Sequence, residues 1–288
     1  MGPGAEGKPM KIAVTGATGF IGRAVLAELS RRNIAAVASS RSGAGALSGA
    51  GHRAVALDLH EAPADAYERL GRPDTVIHLA WSGLPNYRSL HHVDSELPTQ
   101  YRFLSSLVDA GLQSLVVAGT CFEYGMQSGP LGEDLPTRPE NPYGFAKDAL
   151  RRELEFLKSS RPFALTWARL FYLYGEGQAE TSLLPQLRHA VTRGEKVFNM
   201  SGGEQLRDYL AVEEAARLLV SVALARCDAG AVNVCSGRPV SVRRLVEGWI
   251  RDYGWAIELN LGHYPYPEYE PMAFWGERRK LDTILDGR

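Results

Sequence analysis

The sequence predicts an α/β protein built on a doubly wound parallel sheet, with a smaller C-terminal region added to it. Three observations carry that expectation. Short, nearly continuous apolar runs alternate with amphipathic stretches through the first two-thirds of the 288 residues. A glycine-rich turn joins the first apolar run to the first amphipathic stretch. Beyond about Leu170 the alternation gives way to aromatic and Gly-rich segments such as FYLYGEGQ and NMSGGEQLRDY.

Lys11–Thr15 reads as the first strand, and Phe20–Arg32 as a helix with Ile21, Val25, Leu26 and Leu29 on one face. Ile34–Ser39, Ala54–Leu57 and Thr75–Leu79 are the next three strands. A long helix fits Ser89–Ala110, with Gly111 placed to end it in a left-handed conformation. Ser114–Ala118 is the fifth strand, Tyr143–Lys158 a helix and Ala164–Leu170 the sixth strand. Strands this uniformly apolar suit a sheet covered by helices on both faces. Further helices are expected near Thr181–Arg193, Glu213–Ala225 and Val242–Tyr253. The tail HYPYPEYEPMAFWGERRK reads as an ordered loop over other surfaces, or as a partner-binding stretch.

Composition narrows the function. With 45% hydrophobic residues, 23% charged and a net charge of −1, the chain gives no electrostatic case for nucleic acid or an anionic membrane as partner. No apolar run approaches the roughly 20 residues of a membrane span. Arg31-Arg32, Arg151-Arg152 and Arg278-Arg279-Lys280 read as solvated helix faces. Three scattered cysteines, Cys121, Cys227 and Cys235, supply neither a disulfide framework nor a metal site, so a cytoplasmic address is the default.

Gly16, Gly19 and Gly22 in TGATGFIG form a G-x-x-G-x-x-G pattern between the first strand and the first helix. Glycines there allow a tight turn and a close approach of backbone to a pyrophosphate, which the helix N-terminus attracts. Gly16, Thr18, Gly19, Phe20, Ile21 and Gly22 are therefore expected at a dinucleotide. This makes the fold Rossmann-type: residues 1–9 a disordered leader, 10–170 the dinucleotide-binding domain, and 171–288 a substrate-binding region interwoven with it. The second strand ends Ser39-Ser40-Arg41, without the carboxylate that binds an NAD ribose. A hydroxyl and a guanidinium there favour the 2′-phosphate of NADP(H), with NAD the alternative. Asp58 and Leu59 are placed at the adenine edge.

Tyr143 and Lys147 lie one helical turn apart in NPYGFAK, hence on one face. A phenol is a poor proton donor at neutral pH, and a neighbouring ammonium or a positive nicotinamide ring would favour phenolate. Thr120, 23 residues earlier at the end of the fifth strand, could hold the reacting oxygen. Cys121 reads as a packed residue, with no His placed nearby to activate it.

With these residues in view, the chain resembles the extended short-chain dehydrogenase/reductases, in the NAD(P)-dependent nucleotide-sugar epimerase/dehydratase/reductase group. The resemblance covers roughly Met10–Leu285. It rests on TGATGFIG, HLAW (His78–Trp81), GTCFEYG (Gly119–Gly125), PYGFAK (Pro142–Lys147), RLFYLYGEGQ (Arg169–Gln178) and LRDYLAVEEAA (Leu206–Ala216). It implies that Thr120, Tyr143 and Lys147 are catalytic, and that His78, Leu79, Ala80 and Trp81 line the cofactor. It further implies that Arg207 binds a nucleotide diphosphate. Phe122, Tyr172 and Gln178 are expected at the substrate, and Thr181 and the aromatic tail are further candidates without assigned contacts. A homodimer through the helices Ser89–Ala110 and Tyr143–Lys158 follows from the same resemblance. Two departures matter. Cys121 and Phe122 stand where dehydratases of the group carry acids, and Tyr172 replaces the group's usual Asn.

The leading expectation is NADPH-dependent reduction of a keto group, C4 by preference, on a nucleotide-linked deoxy sugar. The alternatives are an epimerase with retained NAD, reduction of a carbonyl compound without a nucleotide, and a silent NADP-sensing scaffold, from which the intact Tyr-Lys pair argues away.

Overall fold

The structure, a computed structural model, describes residues 10–42, 51–61, 63–266, 268 and 270–287. The leader expected over residues 1–9 lies outside the described residues. Seven parallel strands form the central sheet: β1 (Ile12–Thr15), β2 (Ala36–Ser40), β3 (Arg53–Ala56), β4 (Thr75–His78), β5 (Ser114–Thr120), β7 (Ala164–Leu170) and β11 (Gly230–Val234). Their order is β11-β7-β5-β4-β1-β2-β3. Val14 of β1 sits between Ala38 of β2 and Ile77 of β4. The chain winds outward in both directions from β1, so the crevice beyond the carboxyl ends of β1 and β4 is where such a sheet takes a ligand.

Side-chain alternation divides the core into two layers. Ile12, Val14, Ile77, Val116 and Ala118 pack under α1 (Phe20–Arg31) and α6 (Val212–Ala225). Ala13, Val76, Leu115 and Val117 pack under α3 (Leu97–Asp109) and α4 (Pro142–Ser160), with α2 (Ala66–Arg69) at the margin. Both faces are buried, which is why each strand reads as an uninterrupted apolar run.

The C-terminal region carries β8 (Tyr172–Tyr174), β10 (Leu206–Ala211) and β12 (Pro239–Ser241) in one small sheet. A separate apolar cluster joins α5 (Leu183–Thr192) and α7 (Val242–Tyr253) with the paired strands β9 (Val197–Asn199) and β13 (Glu258–Asn260). The chain beyond Leu170 returns to the central sheet twice: β11 extends it beside β7, and α6 packs on α1.

Three expectations are corrected. The helix placed at Ser89–Ala110 is interrupted: a π-helical turn, His92–Glu96, precedes α3. Pro98, near the start of α3, has no N–H for a carbonyl one turn earlier, so a regular helix cannot run through it. The tail is not a loop throughout. It forms β14 (Phe274–Gly276), paired with β6 (Gly129–Leu131), and then α8 (Arg279–Asp286). The basic clusters are also more than solvated faces. Arg31 and Arg32 share Glu28, Arg151 and Arg152 share Asp148, and Lys280 donates to the Ala231 carbonyl at 2.7 Å.

Candidate active site

The glycine turn folds as its sequence requires. Gly16 has φ +67°, and a Cβ there would come within 2.7 Å of the Ala80 nitrogen. A Cβ on Gly22 would meet the Gly16 carbonyl oxygen at 2.2 Å, so this glycine lets α1 start directly against the turn. No side chain caps the N-terminus of α1, and its first turn holds no acid. Its free N–H groups and dipole thus suit an anion. Arg23 braces the turn, donating to the Thr18 carbonyl at 2.8 Å and to Gly177 at 3.2 Å.

A crevice of about 380 Å³ opens beside this turn. It is lined by Gly16, Thr18 and Gly19 of the turn, by Ser39, Ser40, Arg41, Asp58 and Leu59, and by Leu79, Ala80 and Trp81. The turn, the uncapped helix and the hydroxyl–guanidinium rim fit a dinucleotide. Phe20, Ile21 and Gly22 do not line this crevice; they form the first turn of α1, and Phe20 faces a second groove with Arg23. His78 is also displaced from its expected place. It is buried and does not line the crevice, bonded through Nδ1 to Thr15 Oγ1 at 2.8 Å and through Nε2 to Gln100 Oε1 at 2.7 Å. Burial, with Lys147 assisting, lowers its pKa to about 3.

Thr120 ends β5 and caps the short turn Cys121–Tyr124: its Oγ1 accepts from the Phe122 N–H, and Glu123 Oε1 accepts from the Thr120 N–H at 2.9 Å. Asn141 caps α4 by accepting from the Gly144 N–H at 2.8 Å, and Pro142 opens the helix. Gly144 brings α4 against that turn; a Cβ there would lie 2.7 Å from the Phe122 oxygen. Tyr143 and Lys147 therefore face inward beside Thr120, both buried.

Lys147 Nζ donates to the Ala118 carbonyl at 2.8 Å and lies 3.9 Å from the Trp81 ring centroid and 5.9 Å from that of Tyr143. Burial lowers the Lys147 pKa to about 7 against the opposing pull of Glu123 and Glu96. Burial pushes Tyr143 well up, Tyr87 and Glu123 add to it, and the hydrogen bond with Thr120 pulls it down.

Sequence reasoning missed several neighbours. Tyr87 packs 5.5 Å from the Tyr143 ring and 4.9 Å from Phe122. His92 lies 5.3 Å from Tyr143. Glu96 accepts from Ser82 and Gln100 in the crevice wall. Glu123 was legible, since Thr120-x-x-Glu123 is a capping-box spacing.

The expected substrate residues are divided. Phe122 stands edge-on to Tyr143 at 6.4 Å. Arg207 is buried, with Nε and Nη2 donating to Glu270 at 3.3 and 3.0 Å and Nη1 to the Leu206 and Met272 carbonyls. Tyr172 packs against Phe274 and Tyr209, and Gln178 donates back to the Leu173 carbonyl of β8. Thr181 also serves its own segment, its carbonyl accepting from Gln186 at 2.5 Å.

The parallel sheet, the glycine turn at its switch point and the Tyr-Lys helix define an NAD(P)-dependent oxidoreductase of the extended short-chain dehydrogenase/reductase type. The chain belongs to the NAD dependent epimerase/dehydratase family, whose profile matches residues 12–235. It is 30% identical over 275 residues to the dTDP-6-deoxy-L-talose 4-dehydrogenase (NAD(+)) of Aggregatibacter actinomycetemcomitans, covering 93% of this chain and 100% of that one. The dTDP-6-deoxy-L-talose 4-dehydrogenase (NAD(P)(+)) of Kitasatospora kifunensis is 28% identical, with 96% and 88% covered. Among solved structures, MoeE5 in complex with UDP-glucuronic acid and NAD superposes with a TM-score of 0.80 at 27% identity, covering 96% of this chain and 92% of that one. Among the described residues, no helix is long and apolar enough to cross a membrane.

Proposed function

We propose that this protein reduces the C4 keto group of a nucleotide-linked 6-deoxy sugar, using NADPH. One observation carries the reading: Trp81 lines the dinucleotide crevice and also packs on Lys147 and, at 6.0 Å, on Tyr143, so crevice and proton donor adjoin. Gly16, Thr18, Gly19, Leu79, Ala80 and Trp81 would hold the dinucleotide, which would supply the hydride for the carbonyl carbon. Tyr143 gives its phenolic proton to the resulting oxygen, which Thr120 Oγ1 holds in place. Lys147 supplies positive charge beside the phenol, and the rings of Tyr87 and Phe122 pack around it. Two similar proteins named as 4-dehydrogenases of a dTDP-6-deoxy sugar support the substrate class.

Ser39, Ser40 and Arg41 at the crevice rim support NADP(H) over NAD. Arg207, with Tyr172 beside it, serves the diphosphate once it exchanges its ion pair with Glu270. The exposed Phe145 and Phe156 on α4 support a homodimer through α3 and α4, which light scattering on the wild type and Phe156→Glu would test. Three free cysteines suit the reducing cytoplasm.

The test is direct. The purified protein should release its nucleotide on gel filtration and consume NADPH when given dTDP-4-keto-6-deoxyglucose or its epimer. Retained NAD with interconversion of sugar epimers and no NADPH consumption would overturn the reading in favour of an epimerase.

A further inference from the structure

We propose that His92 is a positioning residue for Tyr143 and Lys147, acting through Trp81, and that it does so in its neutral, Nε2-protonated form. The proposal rests on the oxidoreductase reading above. It starts from two hydrogen bonds. The Trp81 indole N–H donates to His92 Nδ1 at 3.1 Å, and His92 Nε2 lies 2.9 Å from the Asn86 carbonyl oxygen. A carbonyl can only accept and an indole N–H can only donate, so Nε2 carries the hydrogen and Nδ1 the lone pair. The tautomer is thereby fixed.

The orientation of Trp81 follows. Its ring presents a face to Lys147 Nζ at 3.9 Å and meets the Tyr143 ring in a T-shaped contact at 6.0 Å. The negative face of an indole favours a cation, which here opposes the burial that draws the proton off Lys147. The next residue is held as firmly: Ser82 donates from its N–H and its Oγ to Glu96, at 3.1 and 2.6 Å. His92 and Glu96 begin and end the same π-helical turn, a local widening of the kind that often sits at functional sites. Gly83 admits this turn, since its φ is +83° and a Cβ would come within 2.9 Å of the His91 ring and 3.1 Å of the His92 ring.

Protonation would undo the arrangement, because a charged imidazole presents Nδ1–H to the indole N–H. The titratable groups facing His92 are His91 just before its turn, Glu96 at the turn's end, and Tyr143 and Lys147 from α4. Burial is the largest influence and lowers its pKa, the Asn86 carbonyl and Glu96 oppose it, and His91 and Lys147 add to it. The neutral form thus persists below the usual 6.5.

The experiment follows the Trp81 indole N–H by nitrogen-15 NMR, assigned by its loss in Trp81→Phe, beside pH profiles of NADPH-dependent reduction. We expect the wild-type resonance at a hydrogen-bonded shift at neutral pH, moving on acidification in step with a fall in kcat. His92→Phe should move the resonance at neutral pH and lower kcat about ten- to a hundredfold, as loss of alignment does, with the KM for NADPH little changed. His92→Asn, with an oxygen near the Nδ1 position, should restore the resonance and most of the rate but not the acid fall. Should His92→Phe fail to fold, Trp81→Phe, which keeps a ring but no donor, should show the same kcat loss. An indole resonance or pH profile indifferent to His92→Phe overturns the proposal while leaving the reductase reading intact. A wild type with the expected resonance and no hydride transfer overturns the reductase reading, and the positioning role of His92 with it.

Discussion

Glu123 and Arg169 form an ion pair closed to water, with Nε and Oε2 2.7 Å apart and 0% and 2% of the two side chains exposed. The same carboxylate accepts from the Thr120 N–H at 2.9 Å and from Trp167 Nε1 at 2.8 Å. One buried group therefore ties the end of β5, the turn after it and β7 together. Breaking such a pair by neutralising one partner strands the other charge. Glu123→Gln should lower the unfolding free energy by about 3–5 kcal/mol in urea titrations. A loss under about 1 kcal/mol would mean that Arg169 finds another partner or water.

Tyr143→Phe removes only the phenolic oxygen. Turnover should fall by roughly 10²–10⁴, the usual worth of a positioned proton donor, while the NADPH dissociation constant measured by fluorescence stays nearly unchanged. Activity surviving at the wild-type level would mean that another group protonates the product.

Arg41 stands at the crevice rim beside Ser39 and Ser40 and is exposed to solvent. A contact to a 2′-phosphate is charge-assisted but screened there, so Arg41→Ala should weaken NADPH binding about tenfold and leave NADH binding as it was. Equal loss for both nucleotides would remove the argument for NADP(H).

His78 is buried and neutral, with its pKa lowered from 6.5 to about 3. The unfolded chain therefore binds a proton that the folded one refuses between those values, and stability falls as pH drops through that window. The slope is at most about 1.4 kcal/mol per pH unit from this residue. Thermal unfolding from neutral pH to pH ~5 should show it, and His78→Gln, which can still donate to Gln100, should flatten it. An unchanged slope would place the acid sensitivity elsewhere.

Much of the fold was legible because it is written in near neighbours. The six strands read from apolar runs are all present, to within a residue or two at their ends. The glycine turn and the Tyr143–Lys147 face depend on spacings of three and four residues, which backbone geometry converts directly into position. The capping box at Thr120 is equally local and was there to be read.

The remainder depended on which distant segments meet. No periodicity in the sequence couples Arg207 to Glu270, His78 to Gln100, or Trp81 to the imidazole of His92. Those partners are chosen when the sheet closes and the C-terminal strands return to it, because a buried polar group takes whichever complement the packing brings within reach. The chain alone determined a dinucleotide sheet with a phenol and an ammonium on one helix. Tertiary packing decided what surrounds them: an indole on the lysine, a histidine behind the indole, and a carboxylate on the arginine that the sequence reading assigned to the substrate.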